Sequence, residues 1–183
     1  ITNLTFNDVK PHLKTLVDNL FNKVPSGVGA AGFMKLNAQA FRKVVEGGVE
    51  WCIENGYGWE EDLERCEENG KMEGADTSKI SSKAIQRGMD QVGTLGSVNH
   101  YLEIQVVKPE NILDQELAKK WGFFPNQVVV MWHCGSRGFG HQVASDYIQT
   151  CLSVMERKYG INVIDRQLAC VPFNSVEGQD YFA

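Results

Sequence analysis

No stretch of this 183-residue sequence is apolar for long enough to span a bilayer, and its first residues lack the pattern of a secretory signal. No membrane partner is therefore expected. Positive charge is not in excess: the formal net charge is −5, which argues against a protein that coats nucleic acid through bulk charge. A local basic groove is still compatible with it. The cysteines (Cys52, Cys66, Cys134, Cys151 and Cys170) are odd in number and have no Cys-x-x-Cys spacing, which suits a reducing compartment and mostly structural thiols. The sequence has no internal repeat and no low-complexity tract. Nothing resembles a Ser-His-Asp constellation, and Ser136 lacks the spacing of a nucleophile elbow. The glycine-rich turn Pro25-Ser26-Gly27-Val28-Gly29 has no following Lys-Ser/Thr pair, so it is not a P-loop, and a plain loop is the simpler reading.

What is present suits one domain, or a piece of a larger one, with ordinary apolar and charged fractions. Beginning at Ile1 rather than at a methionine, the chain reads as an excised piece. Residues 1–10 read as an extended lead-in. A helix is expected from near Pro11, with Leu13, Leu16, Val17, Leu20 and Phe21 on one face. Asn37 is a good N-cap for a second helix, whose Phe41, Val44, Val45, Val49, Cys52 and Ile53 face a core and which Asn55-Gly56 stops. From Trp59 to Lys71 acidic residues are dense; at helical spacing with Leu63 and Arg65 they read as a solvated helix face rather than a cation site. Ser81-Ser82 can cap a short helix running to Arg87, before Gly88. An amphipathic helix is expected over Asn111 to Trp121, and another opens near Glu177.

Two stretches carry more chemistry. In the first, Leu102, Ile104 and Val106 alternate with Tyr101, Glu103 and Gln105, the pattern of a half-buried strand. A small-residue loop, Gly93 to Val98, delivers Asn99 and His100 to its mouth. If the pleat extends back to Asn99, then Asn99 and Glu103 project from one face towards a polar ligand. In the second, Val128 to His133 reads as a buried strand and Gly135-Ser136-Arg137-Gly138-Phe139-Gly140-His141 as the turn that hands it to a helix. Backbone N–H groups there can converge on an anion, helped by the helix N-terminus and the planar Arg137 guanidinium. A tight turn with a solvated Arg fits the same residues. His100 and His133 stand at two strand ends, each beside a glycine-rich loop. If the strands are neighbours the imidazoles meet, although two histidines alone make an incomplete metal site. Cys134 is a poor co-ligand, because neighbours on a strand point to opposite faces. His12 reads as surface; His141, at the start of a helix, is either a phosphate contact or simply exposed.

The segments Asn99-His100-Tyr101-Leu102-Glu103-Ile104-Gln105 and His133-Cys134-Gly135-Ser136-Arg137-Gly138-Phe139-Gly140-His141-Gln142 resemble the central part of the RtcB family of RNA ligases. Val24 to Gly29, Gly93 to Gly96, Asp165 to Ala169 and Glu177 to Tyr181 match it too, in order, so the resemblance covers essentially the whole chain. It implies an α+β (mixed α/β) fold of sheets flanked by helices, with residues 1–183 as the central portion of a single catalytic domain. It implies a GTP- and Mn²⁺-dependent enzyme of tRNA splicing and RNA repair. That enzyme joins RNA 3′-phosphate or 2′,3′-cyclic phosphate ends to 5′-hydroxyl ends through a guanylylated histidine. An archease-type activating protein is the implied partner besides RNA, and the cytoplasm (with the nucleus in a eukaryote) the implied compartment. By resemblance His100 and His133 are Mn²⁺ ligands, Asn99, His100, Tyr101, Leu102 and Glu103 contact the guanine nucleotide, and Arg137 meets an RNA phosphate.

There are departures. The family's upstream Asp/Cys metal motif is not found, and a further His ligand, the guanylylated His and a nucleotide-binding Lys are expected beyond Ala183. Val98 stands where Gly or Ala is usual, and Cys134 where Ser or Thr is usual. The alternative is a truncated metal- or nucleotide-binding module, or a scaffold, without catalysis.

Overall fold

The computed structural model describes residues 1–27 and 29–183; Val28, in the glycine-rich turn, lies outside the described residues. In chain order the elements are α1 (Phe6–Val9), α2 (Leu13–Lys23), α3 (Ala38–Glu54), α4 (Ser82–Met89), β1 (Tyr101–Val106), α5 (Gln115–Lys120), β2 (Val128–His133), α6 (Arg137–Tyr159) and α7 (Val176–Phe182). The fold is α+β, as expected: helices with one two-stranded antiparallel sheet among the described residues. No helix among them is long and apolar enough to cross a membrane. The chain forms two compact units, one from Ile1–Phe33 and Gly93–Gly135, the other from Met34–Val92 and Ser136–Ala183.

In the first unit the lead-in is shorter than expected: Thr5 is extended and bridges Gln127, and the chain turns helical from Phe6. The Thr5 backbone N–H (2.8 Å) and hydroxyl (2.6 Å) both donate to Asp8, which starts a helical turn at Phe6. A 3-10 turn at Lys10–His12 leads into α2, with Pro11 near the start as expected. β1 and β2 pair with Tyr101 opposite His133, Glu103 opposite Met131 and Val106 opposite Val128. Gln127, almost fully buried, anchors the start of β2. Its Nε2 donates to Thr2 O at 2.7 Å and to Gly122 O at 3.0 Å, and its Oε1 accepts from the Phe124 N–H. The turn at residues 24–27 lies against the loop at 93–96: Gly27 N–H donates to Gly96 O at 2.7 Å and Leu95 N–H to Pro25 O at 2.9 Å.

Burial of β2 departs from expectation. Val128 is buried, and its N–H donates to Leu4 O of the N-terminal segment at 2.8 Å, but Val130, Met131 and Trp132 are exposed. A β-branched run selects the extended conformation; whether it is covered depends on what packs over it, and a two-stranded ribbon covers little. The other face of β1, Leu102 and Ile104, lines an open cavity of about 340 Å³ with Leu13, Val17, Leu20 and Phe21 of α2. α5 is also shorter than the sequence suggests, beginning only after Asp114, whose carboxylate caps the Leu117 N–H at 2.9 Å.

In the second unit, Asn37 caps α3 through the Ala40 N–H at 2.8 Å, as expected. The helix is kinked at Gly48 (φ 57°, ψ −138°), where the Gly70 carbonyl and the Lys71 backbone come too close for a Cβ. The acidic stretch is solvated, but as 3-10 turns, Glu60–Arg65 and Glu67–Gly70, rather than a helix face. Glu68, Asn69 and Gly70 all take positive φ, which breaks any continuous helix. The core gathers Phe41, Ala84, Ile85, Cys151 and Met155 from α3, α4 and α6. Gly88 does not end α4; it lies within it, buried under the Phe41 ring. All five cysteines are free thiols: Cys151 is buried and Cys52 half-buried, with burial raising the pKa of both, while Cys66, Cys134 and Cys170 are exposed.

Candidate functional site

The first unit carries an imidazole pair. The chain reaches β1 through a turn in which His100 N–H donates to Ser97 O at 3.2 Å, so the pleat starts at Tyr101 and does not extend back to Asn99. Val98, at φ 64°, turns the backbone into the left-handed region just before it. Asn99 is exposed in that turn and is not held in register with Glu103.

Because Tyr101 is the register partner of His133, the residue before β1 falls beside the last residue of β2. The His100 and His133 rings lie 5.9 Å apart, centroid to centroid, at an interplanar angle of 29°. Tyr101 stacks on His133 from its own side at 5.6 Å, also at 29°. Gly135 follows closely, and a Cβ there would stand 3.4 Å from His100 Nε2. Two imidazoles on one divalent cation, each with its nitrogen about 2.1 Å from the metal, have centroids no more than about 6.5 Å apart. The observed separation is within that limit. Two nitrogens do not complete a coordination sphere, and among the described residues no cluster of three or more His, Cys, Asp or Glu side chains forms. The pair fits as part of a donor set.

Glu103 lies on the same face as Tyr101 and His133, with its carboxylate exposed and accepting from Gln105 Nε2 at 2.6 Å. Gln105 Nε2 also reaches Met131 Sδ across the ladder at 3.5 Å. Leu102 is on the opposite face and lines the cavity beside α2, apart from the His133 side chain. His12 is exposed, as expected, and so is His141.

The second unit carries Arg137. The glycine-rich stretch proves not to be a loop, since Arg137 to His141 already form the first turn of α6. Arg137 itself has φ 54°, a conformation that costs a non-glycine residue about 1–3 kcal/mol and persists only where its surroundings impose it. The next amide, Gly138 N–H, donates to Gln91 Oε1 at 2.8 Å. At Gly138 a Cβ would meet Gln91 Oε1 at 3.1 Å and Arg87 Nε at 3.3 Å. At Gly140 it would run into the Ser136 side chain. Phe139 makes an edge-on contact with Phe41, with centroids 5.3 Å apart at 78°.

A polar chain continues along α6. Arg87 Nη1 donates to Gln142 Oε1 at 2.9 Å, Gln142 Nε2 to Asp146 Oδ1 at 2.7 Å, and Ser81 Oγ to Asp146 Oδ2 at 2.6 Å. Sequence reading missed Gln91 and the partnership of Arg87 with Gln142. The one local signal was the four-residue spacing of Gln142 and Asp146 on a helix.

What these features define is an α+β chain with an imidazole pair at a strand mouth in one unit and an arginine on a glycine-rich helix start in the other. The chain belongs to the RtcB family: the family model described as "tRNA-splicing ligase RtcB" matches residues 1–183. Among similar proteins, the tRNA-splicing ligase RtcB of Pyrococcus abyssi is 56% identical over 185 residues, covering 100% of this chain and 20% of that protein. That of Pyrococcus furiosus is 55% identical, covering 100% of this chain and 18% of that protein. That of Thermococcus kodakarensis is 52% identical over 182 residues, covering 100% of this chain and 37% of that protein. The chain thus spans between about a fifth and somewhat over a third of the length of these curated relatives.

Proposed function

We propose that this chain is the central portion of a catalytic domain that joins RNA 3′-phosphate or 2′,3′-cyclic phosphate ends to 5′-hydroxyl ends in tRNA splicing and RNA repair. GTP and Mn²⁺ are the cofactors of this reading, and an archease-type protein is the activating partner. The observation that carries it is the register of β1 and β2, which sets the His100 and His133 rings 5.9 Å apart in a chain matched end to end by the family model.

His100 and His133 would hold the Mn²⁺ ion together with donors from outside this chain. When bound, such a cation neutralises phosphate charge and polarises the bond being broken. Tyr101, stacked on His133, restrains that ring, and Gly135 stands beside His100 Nε2. The exposed Glu103 carboxylate, steadied by Gln105, offers acceptor lone pairs to the N–H donors of a guanine, with Asn99 and Tyr101 beside it. Leu102, whose side chain takes the opposite face, is in the nucleotide-contact segment by its backbone alone. Arg137 presents its guanidinium fork to an RNA phosphate. None of the histidines of this chain is assigned the guanylyl group, so ligation is assigned to the full-length protein and not to the segment alone.

Calorimetric titration of Mn²⁺ into the 183-residue chain tests the assignment. Weak binding is expected, lost in both His100→Ala and His133→Ala. Binding that survives both substitutions would sink the assigned ligands and move suspicion to the acidic residues 60–68.

A further inference from the structure

We propose that Gln91 is a positioning residue for Arg137, holding it in its left-handed conformation through the Gly138 amide. The proposal rests on the reading of Arg137 as an RNA-phosphate contact, and concerns how the fold presents that arginine.

A residue at φ 54° next to a flexible glycine relaxes unless its neighbours fix it. The φ and ψ of Arg137 together aim the peptide unit between Arg137 and Gly138, so the bond from its N–H to Gln91 Oε1 at 2.8 Å favours the Arg137 conformation that makes it. This is one of the first amides of α6, which have no acceptor within their own helix. An amide of that kind can be satisfied by water or by a bound anion; here a protein side chain satisfies it instead. The bond therefore fixes geometry and removes Gly138 N–H from the donors open to a ligand.

Gln91 is itself placed by the end of α4, where its N–H donates to Gly88 O at 3.0 Å. One turn further along α6, the buried Gln142 is held by Arg87 from α4 and by Asp146, and Asp146 by Ser81 at the N-cap of α4. Both ends of α4 thus grip the first turns of α6. Phe139, between the two glycines, packs on Phe41 and fixes the rotation of that turn. These contacts all lie within one compact unit. The substrate class is the one already assigned to Arg137, an RNA phosphate; what Gln91 adds is the angle at which the guanidinium meets it.

The test uses the full-length ligase that carries this sequence, with Gln91→Leu, Gln91→Glu, Arg137→Ala and the double variant Gln91→Leu/Arg137→Ala. Leucine keeps the bulk and removes the acceptor, whereas glutamate keeps an acceptor oxygen. Gln91→Leu is expected to slow single-turnover ligation about 10- to 100-fold, with the loss expressed in the dependence on the RNA 3′-phosphate end rather than on GTP. Gln91→Glu should restore the rate to within about twofold, and the double variant should be no slower than Arg137→Ala. Hydrogen exchange at the Gly138 amide, slow in the unsubstituted protein and in Gln91→Glu, should become fast in Gln91→Leu.

Undiminished ligation by Gln91→Leu beside an impaired Arg137→Ala overturns the positioning role and leaves the phosphate reading standing. An Arg137→Ala variant that ligates normally sinks the phosphate reading itself. Slow exchange retained in Gln91→Leu, or a loss of rate that glutamate does not rescue and a lower melting temperature accompanies, also overturns the proposal. The contact would then be structural only.

Discussion

The ring of Phe41 rests where Gly88 would carry a Cβ: the added atom would stand 2.8 Å from Cε1 and 2.9 Å from Cε2, nearer still to Cζ. Phe41 is 1% exposed, so the ring has little space into which to retreat. Gly88→Ala therefore opposes two effects. Alanine gains about 1 kcal/mol over glycine as a helix former, while overpacking a close-packed core costs about 1–3 kcal/mol. Because the clash is with a ring fixed between α4 and Phe139, the core term is expected to win. Chemical denaturation should show Gly88→Ala destabilised by up to about 2 kcal/mol, and Phe41→Ala by about 3–5 kcal/mol.

Val98 is a β-branched residue at φ 64° with its side chain fully exposed. It has left-handed strain and no packing to compensate it. The left-handed region costs an L-residue about 1–2 kcal/mol, offset in part by the extra freedom that glycine has in the unfolded chain. Val98→Gly should raise stability by about 0.5–1 kcal/mol, a melting shift of about 1–4 °C. Val98→Ala should gain less, since alanine keeps its Cβ. A lower melting temperature for the glycine variant would contradict this account of the turn.

Glu177, at the start of α7, accepts from Lys158 Nζ at 2.9 and 3.1 Å and from the Tyr159 hydroxyl at 2.7 Å. Those bonds, the lysine's first, hold its pKa down to about 2. A depressed carboxylate pKa means that the unfolded chain binds the proton more readily. The stabilisation is thus fully present above the ordinary glutamate range and is lost as pH falls from about 4.5 towards about 2. Glu177→Gln should lower the melting temperature at neutral pH and flatten its decline across that acid window. An unchanged acid limb would mean that the α6–α7 clamp contributes nothing to stability.

How much of this was legible in the sequence depended on how local the cause was. Asn37 as a cap and the strand β1 are settled by a few neighbouring residues, and both could be read directly. The proximity of His100 and His133 could be framed as a condition on two strands, but only the pairing of Tyr101 with His133 meets it. The break at Asn99 was not legible, because valine carries no signal for a left-handed turn. Gly138 and Gly140 looked like loop residues. They sit in a helix, and glycine is needed there because the Gln91 and Ser136 side chains occupy the space that a Cβ would need. Exposure of Met131 and Trp132 was hidden for a related reason: an apolar run records a preference for burial, not the presence of a cover.

Each compact unit is assembled from two separate lengths of chain: the first is left at Phe33, rejoined at Gly93 and left again at Gly135. This interleaving bears on synthesis. The ribosome releases α1 and α2 long before β1 and β2, so the first unit remains without its sheet until Gly135 has emerged. The second unit waits longer, since α4 and the Phe41 ring cannot dock on α6 until the residues after Ser136 are made. A nascent chain paused anywhere between residues 34 and 159 carries exposed apolar helices without their partners, which makes that interval the one in which a chaperone matters most.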